Sequence, residues 1–364
     1  MKRKIIIYGE FIEESTTGIA YVNSNLFQVF QNLKFKVTKL KEPRSLDYQK
    51  NKSKIKKRLN IKSFIYLFFD LLNLDNHDIS FITLSMGNIG LLKTLLIHYL
   101  LQKKSKRVYL YIHRGDLDKR YLKSIFRKFI ISNLFKNSFK IIFLSKIFIL
   151  KLEKELLKDK YLVIPNSLNE EDCKISTSLF NNKIKNVLNK QKYLKIIYAS
   201  NLQKQKGIHK IIKSVNLLNK NLKEYKIKLD IYGLQFEEIK GENNLVQYKG
   251  LLKTKKRLST MSKYDFLITA SNSEGLPITL IECLAIGLPF ITTKVGAIDD
   301  LLISNYPYIC SYETKSITNT LKKARNDNLN ENNKIKDLII ANNKLFKTKF
   351  SSKKFFFNVK KSIF

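Results

Sequence analysis

The 364-residue sequence has no tryptophan, three cysteines and no long uninterrupted apolar run. Its three cysteines lie far apart and without metal-ligand spacing, which argues against a zinc site and favours buried thiols in a reducing cytoplasm: Cys173, Cys283 and Cys310. The longest apolar candidate, FIYLFFDLLNL from Phe64, is interrupted by Asp70 and is shorter than the roughly 20 residues that a membrane-spanning helix needs. The short apolar run near the amino end predicts a first strand rather than a signal peptide.

Acidic residues are also scarce. The chain carries 30 Asp and Glu against 68 Lys and Arg, a formal net charge of +38. Abundant Lys, Asn, Ile, Phe and Tyr are typical of an AT-rich genome, so part of this charge reflects composition. The excess still indicates an acidic partner such as anionic lipid, phosphate groups or nucleic acid. Only 9 of the basic residues are arginine, the preferred reader of bases, and no zinc, helix-turn-helix or RNP-like motif is present, so specific nucleic-acid recognition is not expected.

Short β-branched and aromatic runs alternate with helical patterns along the whole chain. Continuous apolar strands joined by helices predict parallel sheets that are covered on both faces. The runs fall into two series, and the polar segment between them, Asn166 to Lys192, is predicted to be a linker. The predicted strands are Lys4–Tyr8, Phe81–Ser85, Val108–His113, Lys140–Ser145, Tyr161–Ile164, Leu194–Ala199, Ile227–Tyr232, Leu245–Lys249, Asp265–Ala270 and Phe290–Thr293.

Ligands of open parallel sheets bind at the carboxyl ends of the strands. Gly18 follows the first strand and precedes a helical pattern, where it is either a phosphate cradle or a structural turn. His113 ends another strand and is as consistent with a structural as with a functional role. Lys206-Gly207 opens a helix in the second half, where a lysine and a helix amino end both favour an anion.

The stretch SEGLPITLIEC, Ser273 to Cys283, holds two glutamates in mostly apolar surroundings. Pro277 suits the first turn of a helix and Gly287 its end. Glu274 then lies just before the helix and Glu282 inside it. A carboxylate in such a buried helix must be paired, or must be met by a ligand.

This pattern resembles that of retaining glycosyltransferases of family 4, which have the two-domain GT-B fold. The resemblance rests on Glu274-x7-Glu282 followed by Cys-Leu-Ala-Ile-Gly-Leu-Pro, and is supported by Lys206-Gly207, Ile164-Pro165-Asn166, the Gly18 loop and His113. It implies an α/β fold of two Rossmann-like domains with a cleft between them. The expected domains are 1–168 for the acceptor and 190–345 for the nucleotide sugar, with a helix in 346–364 returning to the first domain.

The resemblance also implies roles for the residues. Glu274 would contact the hydroxyls of the donor sugar, Glu282 would bind the ribose, and Lys206 would neutralise the leaving diphosphate. His113 would lie near the reacting sugar, and Gly18 would belong to the donor site. The family usually has an arginine where this chain has Asn201, so Lys204 is a candidate substitute. The backbone expected to meet the sugar and diphosphate is that of Gly275, Leu276, Pro277 and Ile278.

The function implied is metal-independent, retaining transfer of a hexose-type sugar from a nucleotide-diphosphate sugar to a glycan or lipid-linked acceptor. No cofactor is expected, and the setting would be bacterial surface polysaccharide synthesis at the cytoplasmic face of the membrane. Three alternatives stay open: a nucleotide-sugar epimerase of the same fold, a basic nucleic-acid-binding protein and a non-catalytic relative. Asp116-Leu117-Asp118 resembles the metal signature of another glycosyltransferase fold but is interpreted as a solvated loop. Glu170, Glu171 and Asp172 are interpreted as linker charge.

The segment from Leu117 to Lys140 carries seven basic residues and one acidic residue, with aromatic residues between them. Its spacing predicts an amphipathic helix. The helix is either an ordinary packed element or a face that meets anionic lipid, and a second basic run, Gln49 to Ser63, could join it.

Overall fold

The computed structural model describes residues 3–13, 17–42, 61–121, 124–152, 157, 160–186 and 192–364. Contacts divide these residues into two compact units. The first contains the described residues up to Asn166 together with Phe355–Phe364, and the second is Ser167–Lys354. Most of the basic run that begins at Gln49 lies outside the described residues.

The first unit is a parallel sheet with helices. Its described strands have the order β2-β1-β3-β4-β5-β6, and every neighbouring pair is parallel. β1 is almost entirely buried, as expected of a parallel strand covered on both faces. The strands are β1 (Lys4–Gly9), β2 (Lys36–Lys41), β3 (His77–Thr83), β4 (Ser105–Ile112), β5 (Lys140–Phe143) and β6 (Tyr161–Val163); the helices are α1 (Gly18–Asn32), α2 (Ile61–Leu72), α3 (Asn88–Lys104), α4 (Leu117–Tyr121), α5 (Ile125–Asn137) and α6 (Lys146–Ile149).

The second unit has the same architecture. Its described strands have the order β12-β11-β10-β7-β8-β9, and all pairs are again parallel. The strands are β7 (Leu194–Ala199), β8 (Ile227–Tyr232), β9 (Val246–Tyr248), β10 (Phe266–Ile268), β11 (Phe290–Thr293) and β12 (Ile309–Cys310); the helices are α7 (Glu170–Asn186), α8 (Ile208–Asn221), α9 (Arg257–Met261), α10 (Ile278–Ile286), α11 (Thr314–Asn330) and α12 (Asn332–Lys349).

The last helix, α13 (Ser352–Ile363), carries the chain into its final residues, which belong to the first unit. There the ring of Phe364 stacks on Phe35 with centroids 4.9 Å apart and meets Phe30 edge-on. Aromatic pairs of this kind contribute about 0.5–1.5 kcal/mol beyond their buried area. The two Rossmann-like units confirm the predicted α/β fold class.

The segment predicted to be a linker contains a helix, because α7 occupies most of it. Asn169 caps this helix by accepting a hydrogen bond from the backbone N–H of Asp172 at 2.7 Å. Three acidic residues stand in the first turn and two lysines in the last, which suits the helix dipole. Asn169 is a favourable cap residue in the sequence, but the weak apolar periodicity of the segment gave no signal of the helix that follows it.

The predicted single amphipathic helix from Leu117 to Lys140 was also wrong. Two helices, α4 and α5, occupy the segment, and β5 begins at Lys140. Ser124 starts the second helix by accepting a hydrogen bond from the N–H of Arg127 at 3.3 Å. No helix within the described ranges is long and apolar enough to cross a bilayer.

Candidate active site

The strand order of the second sheet reverses between β7 and β10. β7 pairs with β8 on one side and with β10 on the other. From β7 the chain continues to β8, toward one edge of the sheet, and from β10 it continues to β11, toward the opposite edge. Open α/β sheets bind their ligands in the crevice at the carboxyl ends of two such strands. The loops that follow β7 and β10 are therefore the candidate site.

These two loops are held against each other by close backbone contacts. Gly207 has φ +75°, and a Cβ placed on it would lie 2.2 Å from the carbonyl oxygen of Ala270. Only glycine allows both the left-handed conformation and this approach. The backbone N–H of Asn272 also donates to the carbonyl of Gln205 at 3.0 Å. The loop after β7 is thereby fixed on the loop after β10.

An ion pair joins the two loops. Nζ of Lys206 lies 2.7 Å from Oε1 of Glu274, and the Ser271 hydroxyl donates to the same oxygen at 2.6 Å. Side-chain exposures of 21% for the lysine and 13% for the glutamate leave both partly accessible to a ligand. Gly296, with φ +62°, supports the loop, because a Cβ there would lie 2.0 Å from the Glu274 carbonyl oxygen. The structure thus brings together two predicted site residues.

The amino end of α10 follows directly. The sequence predicted Pro277 in the first turn of this helix; it is instead the cap residue, one position earlier, and Ile278 is the first helical residue. The first intrahelical bonds run from Leu280 and Ile281 to the Pro277 carbonyl, so the N–H groups of residues 278 and 279 precede the hydrogen-bonded helix. Leu276 has a buried side chain and can offer only its backbone. This helix end provides partial positive charge beside the Lys206–Glu274 pair.

Glu282 lies inside α10 and is paired with a protein side chain. Only 2% of it is exposed, and its Oε1 forms an ion pair with Nε of Arg257 in α9. Burial raises the pKa of Glu282 to about 7, although Arg257 opposes this rise; the nearby Asp172 carboxylate raises it further. Nη2 of Arg257 lies 3.1 Å from Oδ2 of Asp172. The interpretation of Asp172 as linker charge is therefore wrong, because it is a half-buried ion-pair partner of Arg257.

Asn201 lies in the loop after β7, at the position where the family usually has an arginine. The Asn201 carbonyl accepts hydrogen bonds from the Tyr198 hydroxyl at 3.1 Å and from the N–H of Gln203 at 3.0 Å. Lys204 starts the short turn before Gly207, where its N–H donates to Glu237 at 3.1 Å. The compensating role of Lys204 stays a prediction.

The first unit holds His113 at the carboxyl end of β4. Both ring nitrogens are buried and have no hydrogen-bond partner among the described residues, and the ring lies 4.2 Å from that of Tyr111. Burial lowers the pKa of His113 to about 3, so the imidazole is neutral at physiological pH. Buried polar atoms without partners are rare in native proteins and are compatible with a ligand contact.

Gly18 opens α1 and is exposed. Thr17 caps this helix by accepting a hydrogen bond from the N–H of Ala20 at 3.2 Å, and its hydroxyl donates to Oε2 of Glu10 at 2.5 Å. A carboxylate therefore already stands beside the amino end of α1. Its negative charge disfavours a phosphate at the same place.

Asp116 is held by a neighbouring arginine. Arg114 reaches it with Nε at 2.8 Å and Nη2 at 2.9 Å, a bidentate pair. Asp118 lies in the first turn of α4. In the described part of the chain no group of three or more His, Cys, Asp or Glu could hold a metal ion.

Sequence reasoning missed Arg257, Asp172 and Ser271. Arg257 follows two lysines, Lys255-Lys256, in a chain where basic residues are common. Its one distinguishing signal was the choice of arginine in a chain with so few of them. Arginine is favoured over lysine for buried ion pairs because its planar fork contacts two carboxylates at once.

Comparison with known proteins finds a family likeness within the second unit. Residues 180–342 match the sequence profile of the family described as "Glycosyl transferases group 1". The matched segment is therefore similar to this family. It contains Lys206, Glu274, Glu282 and Arg257, while Asp172 and His113 lie outside it.

Relatives and solved structures extend the likeness to the rest of the chain. An uncharacterized glycosyltransferase, MJ1178, of Methanocaldococcus jannaschii is 27% identical over 62% of this chain and 59% of its own length. The chain spans less than two thirds of each curated relative it matches, at 59%, 21% and 48%. Sucrose-phosphate synthase from Thermosynechococcus elongatus has a TM-score of 0.72 at 12% identity and covers 99% of this chain and 98% of its own. Anabaena HepE, solved in complex with UDP and glucose, has a TM-score of 0.65 at 12% identity over 98% of both chains. These likenesses show the GT-B fold.

Proposed function

We propose that the chain is a retaining glycosyltransferase of family 4 that transfers a sugar from a nucleotide-diphosphate sugar to a glycan or lipid-linked acceptor. The observation that carries the proposal is the Lys206–Glu274 pair at the strand-order switch point, beside the amino end of α10. Glu274 of this pair and Glu282 of α10 together form the Glu-x7-Glu motif. The solved complex of HepE with UDP and glucose supports a nucleotide-sugar donor.

Transfer breaks the bond between the sugar and the diphosphate. Negative charge grows on the diphosphate while the sugar becomes oxocarbenium-like, so fixed positive groups at the diphosphate stabilise the transition state. Lys206 and the amino end of α10 lie close to each other, and they would stabilise the negative charge on the diphosphate. With Asn201 in place of an arginine, leaving-group stabilisation depends more heavily on Lys206. We propose that no metal ion takes part.

The two glutamates have different surroundings and different proposed roles. Glu274 is partly exposed, and a sugar hydroxyl can approach the carboxylate that Lys206 and Ser271 now contact. Glu282 is buried and would accept the ribose hydroxyls. His113 would meet the reacting sugar as a neutral imidazole. No carboxylate nucleophile is assigned, so retention would follow from attack of the acceptor on the same face of the sugar.

Nucleotide binding tests this proposal. Glu282→Ala should weaken a matching nucleotide diphosphate about 10- to 1,000-fold, because charge-assisted hydrogen bonds contribute roughly 1.5–3 kcal/mol each. Isothermal titration calorimetry with UDP, GDP and ADP, followed by their sugar conjugates, would measure it. Glu170→Gln is the control, since Glu170 forms only an exposed ion pair with Lys174 in the same unit. Absence of binding by every nucleotide, or equal binding by Glu282→Ala, would contradict the proposal.

We further propose that the acceptor is met at an anionic membrane surface, as surface polysaccharide synthesis on a lipid carrier requires. Three neighbouring helices of the first unit, α2, α3 and α5, expose apolar side chains. Tyr66 is 70% exposed, Ile89 60%, Ile125 90% and Phe129 68%. Contiguous exposed apolar residues mark interaction sites.

The charge of the same helices selects lipid as the proposed partner. They carry seven Lys and Arg and one acidic residue, Asp70; one of the seven, Lys93, is paired with Glu42 and is not counted toward lipid binding. Each basic residue near an anionic surface contributes about 1 kcal/mol before screening. Such a surface suits reversible association, and it replaces the single helix predicted from the sequence.

Liposome flotation tests the membrane proposal. Ile125→Ser, Lys128→Glu and Phe129→Ser together should reduce flotation with phosphatidylglycerol vesicles at least tenfold. Arg127 stays unchanged because it bonds Asn88 of α3 at 2.9 Å and would confound folding. Leu217→Ser with Lys220→Glu, on α8 of the second unit, is the matched control. Equal flotation of the triple variant and the parent would refute this surface.

A further inference from the structure

Two carboxylates share one guanidinium in the second unit. Arg257, on the short helix α9, contacts Glu282 of α10 through Nε and Asp172 of α7 through Nη2 at 3.1 Å. The side chains are 2% exposed for Glu282, 16% for Asp172 and 17% for Arg257. One positive charge thus lies between two negative ones, of which Glu282 is buried and Asp172 half-buried.

A purely structural role explains this arrangement poorly. Removing charges from water costs several kcal/mol per ion, and well-packed apolar residues in the same place are often as stable or more stable. In some proteins a buried ionic network instead fixes the orientation of the groups within it. Glu282 is the group in this network to which the proposed function assigns a ligand.

The surroundings of Glu282 restrict which groups control its charge. α7, α9 and α12 and the turn Ile298–Leu301 pack against α10. Arg257 and Asp172 are the charged groups that act on Glu282, whereas Lys183 of α7 acts on Cys283. From α12, Asn343 donates to the Ala285 carbonyl at 2.7 Å, and Asp299 of the turn pairs with Lys294 at 3.4 Å.

We infer that Arg257 and Asp172 are positioning residues of the donor site: Arg257 holds the Glu282 carboxylate ionised and oriented toward the ribose hydroxyls, and Asp172 holds the Arg257 guanidinium in place. This inference rests on the proposed function. Arg257 attracts the Glu282 carboxylate and so favours its ionised form. Asp172 repels that carboxylate and favours its protonated form, but it also fixes the plane of the Arg257 guanidinium. The first turn of α7 thereby becomes part of the nucleotide site, although it lies outside the matched family segment.

The two positioning residues should shift the pH dependence of binding in opposite directions. The ribose hydroxyls donate to the ionised carboxylate, so affinity is present above the pKa of Glu282, about 7, and is lost as pH falls through it. For such a group the dissociation constant should be about tenfold higher at pH 6 than at pH 8. Arg257→Met removes the group that lowers this pKa, so the ratio should rise toward about 100. Asp172→Asn removes a group that raises it, so the ratio should fall toward about 1–2.

The experiment is calorimetric titration of the parent, Arg257→Met, Arg257→Lys and Asp172→Asn with the nucleotide sugar that binds the parent, at half-unit steps from pH 6 to pH 8.5. Glu282→Gln supplies the reference, because its remaining pH dependence belongs to the ligand and to other groups. Arg257→Lys should lie between the parent and Arg257→Met. Asp172→Asn keeps the test decisive where Arg257→Met does not fold.

Opposite shifts of the two midpoints relative to Glu282→Gln would establish the inference. Affinities that fall without any shift of the pH profile would overturn it and leave Arg257 a structural residue. Failure of the proposed function is distinguishable, since the parent itself would then bind no nucleotide sugar at any pH.

Discussion

Glu274→Gln separates sugar recognition from diphosphate recognition. In the free protein the Glu274 carboxylate lies 2.7 Å from Nζ of Lys206, the cation proposed to meet the diphosphate. Glutamine keeps the shape of the side chain and its hydrogen bond with Ser271, but it removes the negative charge. Transfer should fall, whereas nucleotide diphosphate binding should persist or become tighter.

The magnitudes follow from the two contacts. A hydrogen bond from a sugar hydroxyl to a carboxylate contributes about 1.5–3 kcal/mol, so kcat/KM should fall roughly 10- to 150-fold. A partly exposed ion pair contributes about 0–1 kcal/mol. Releasing Lys206 from it should therefore leave the affinity for the nucleotide diphosphate unchanged or tighten it up to about fivefold.

The assay combines initial rates of sugar transfer with calorimetric binding of the nucleotide diphosphate. Lys206→Met is the reciprocal variant and should weaken diphosphate binding and transfer together. Glu170→Gln, which removes one carboxylate of an exposed pair in the same unit, should change neither quantity. Unchanged transfer in Glu274→Gln would refute the sugar contact. Loss of nucleotide diphosphate binding in a folded Glu274→Gln would refute the division of roles.

Three further predictions follow from other contacts. Transfer should persist in excess EDTA, because Lys206 and the amino end of α10 offer positive potential; restoration of a lost activity by magnesium or manganese would contradict this and return attention to Asp116. His113→Leu should reduce transfer about 100-fold or more while stability in urea stays equal or rises, since the ring nitrogens have no partner among the described residues; a loss of both would indicate a structural histidine. Gly296→Ala should lower stability and transfer more than Gly250→Ala, because both glycines have positive φ but only a Cβ at 296 meets backbone, 2.0 Å from the Glu274 carbonyl; urea unfolding and rate measurements compare the two.

The sequence predicted most of the sheet because buried parallel strands are continuous apolar runs. Of the twelve strands that the described residues form, ten were predicted within a few residues. β2, KVTKLK, was missed because it lies at the sheet edge and only one of its residues is fully buried. β12 was missed because it has two residues, too few to form a pattern.

The candidate site was predictable where a local pattern carried it. Glu274, Pro277 and Glu282 belong to one short segment, and the turn, cap and helix rules order them without tertiary knowledge. Arg257 and Asp172 could not be found in this way. Neither residue belongs to a local motif. They act on Glu282 only because α7, α9 and α10 pack together in the folded unit.

The two site carboxylates also show why the net charge of +38 is a poor guide to function. At the proposed donor site Lys206 is balanced by Glu274, and Arg257 by two carboxylates. These five side chains together are thus close to neutral or negative in a strongly basic chain. In the proposed reaction a diphosphate would take Lys206 from Glu274, and the Glu274 carboxylate would then become available to the sugar hydroxyls. Binding of the diphosphate to Lys206 and release of the Glu274 carboxylate to the sugar would then occur together. A nucleotide diphosphate that carries its sugar should therefore break the Lys206–Glu274 ion pair more effectively than inorganic diphosphate, which has no sugar to contact Glu274.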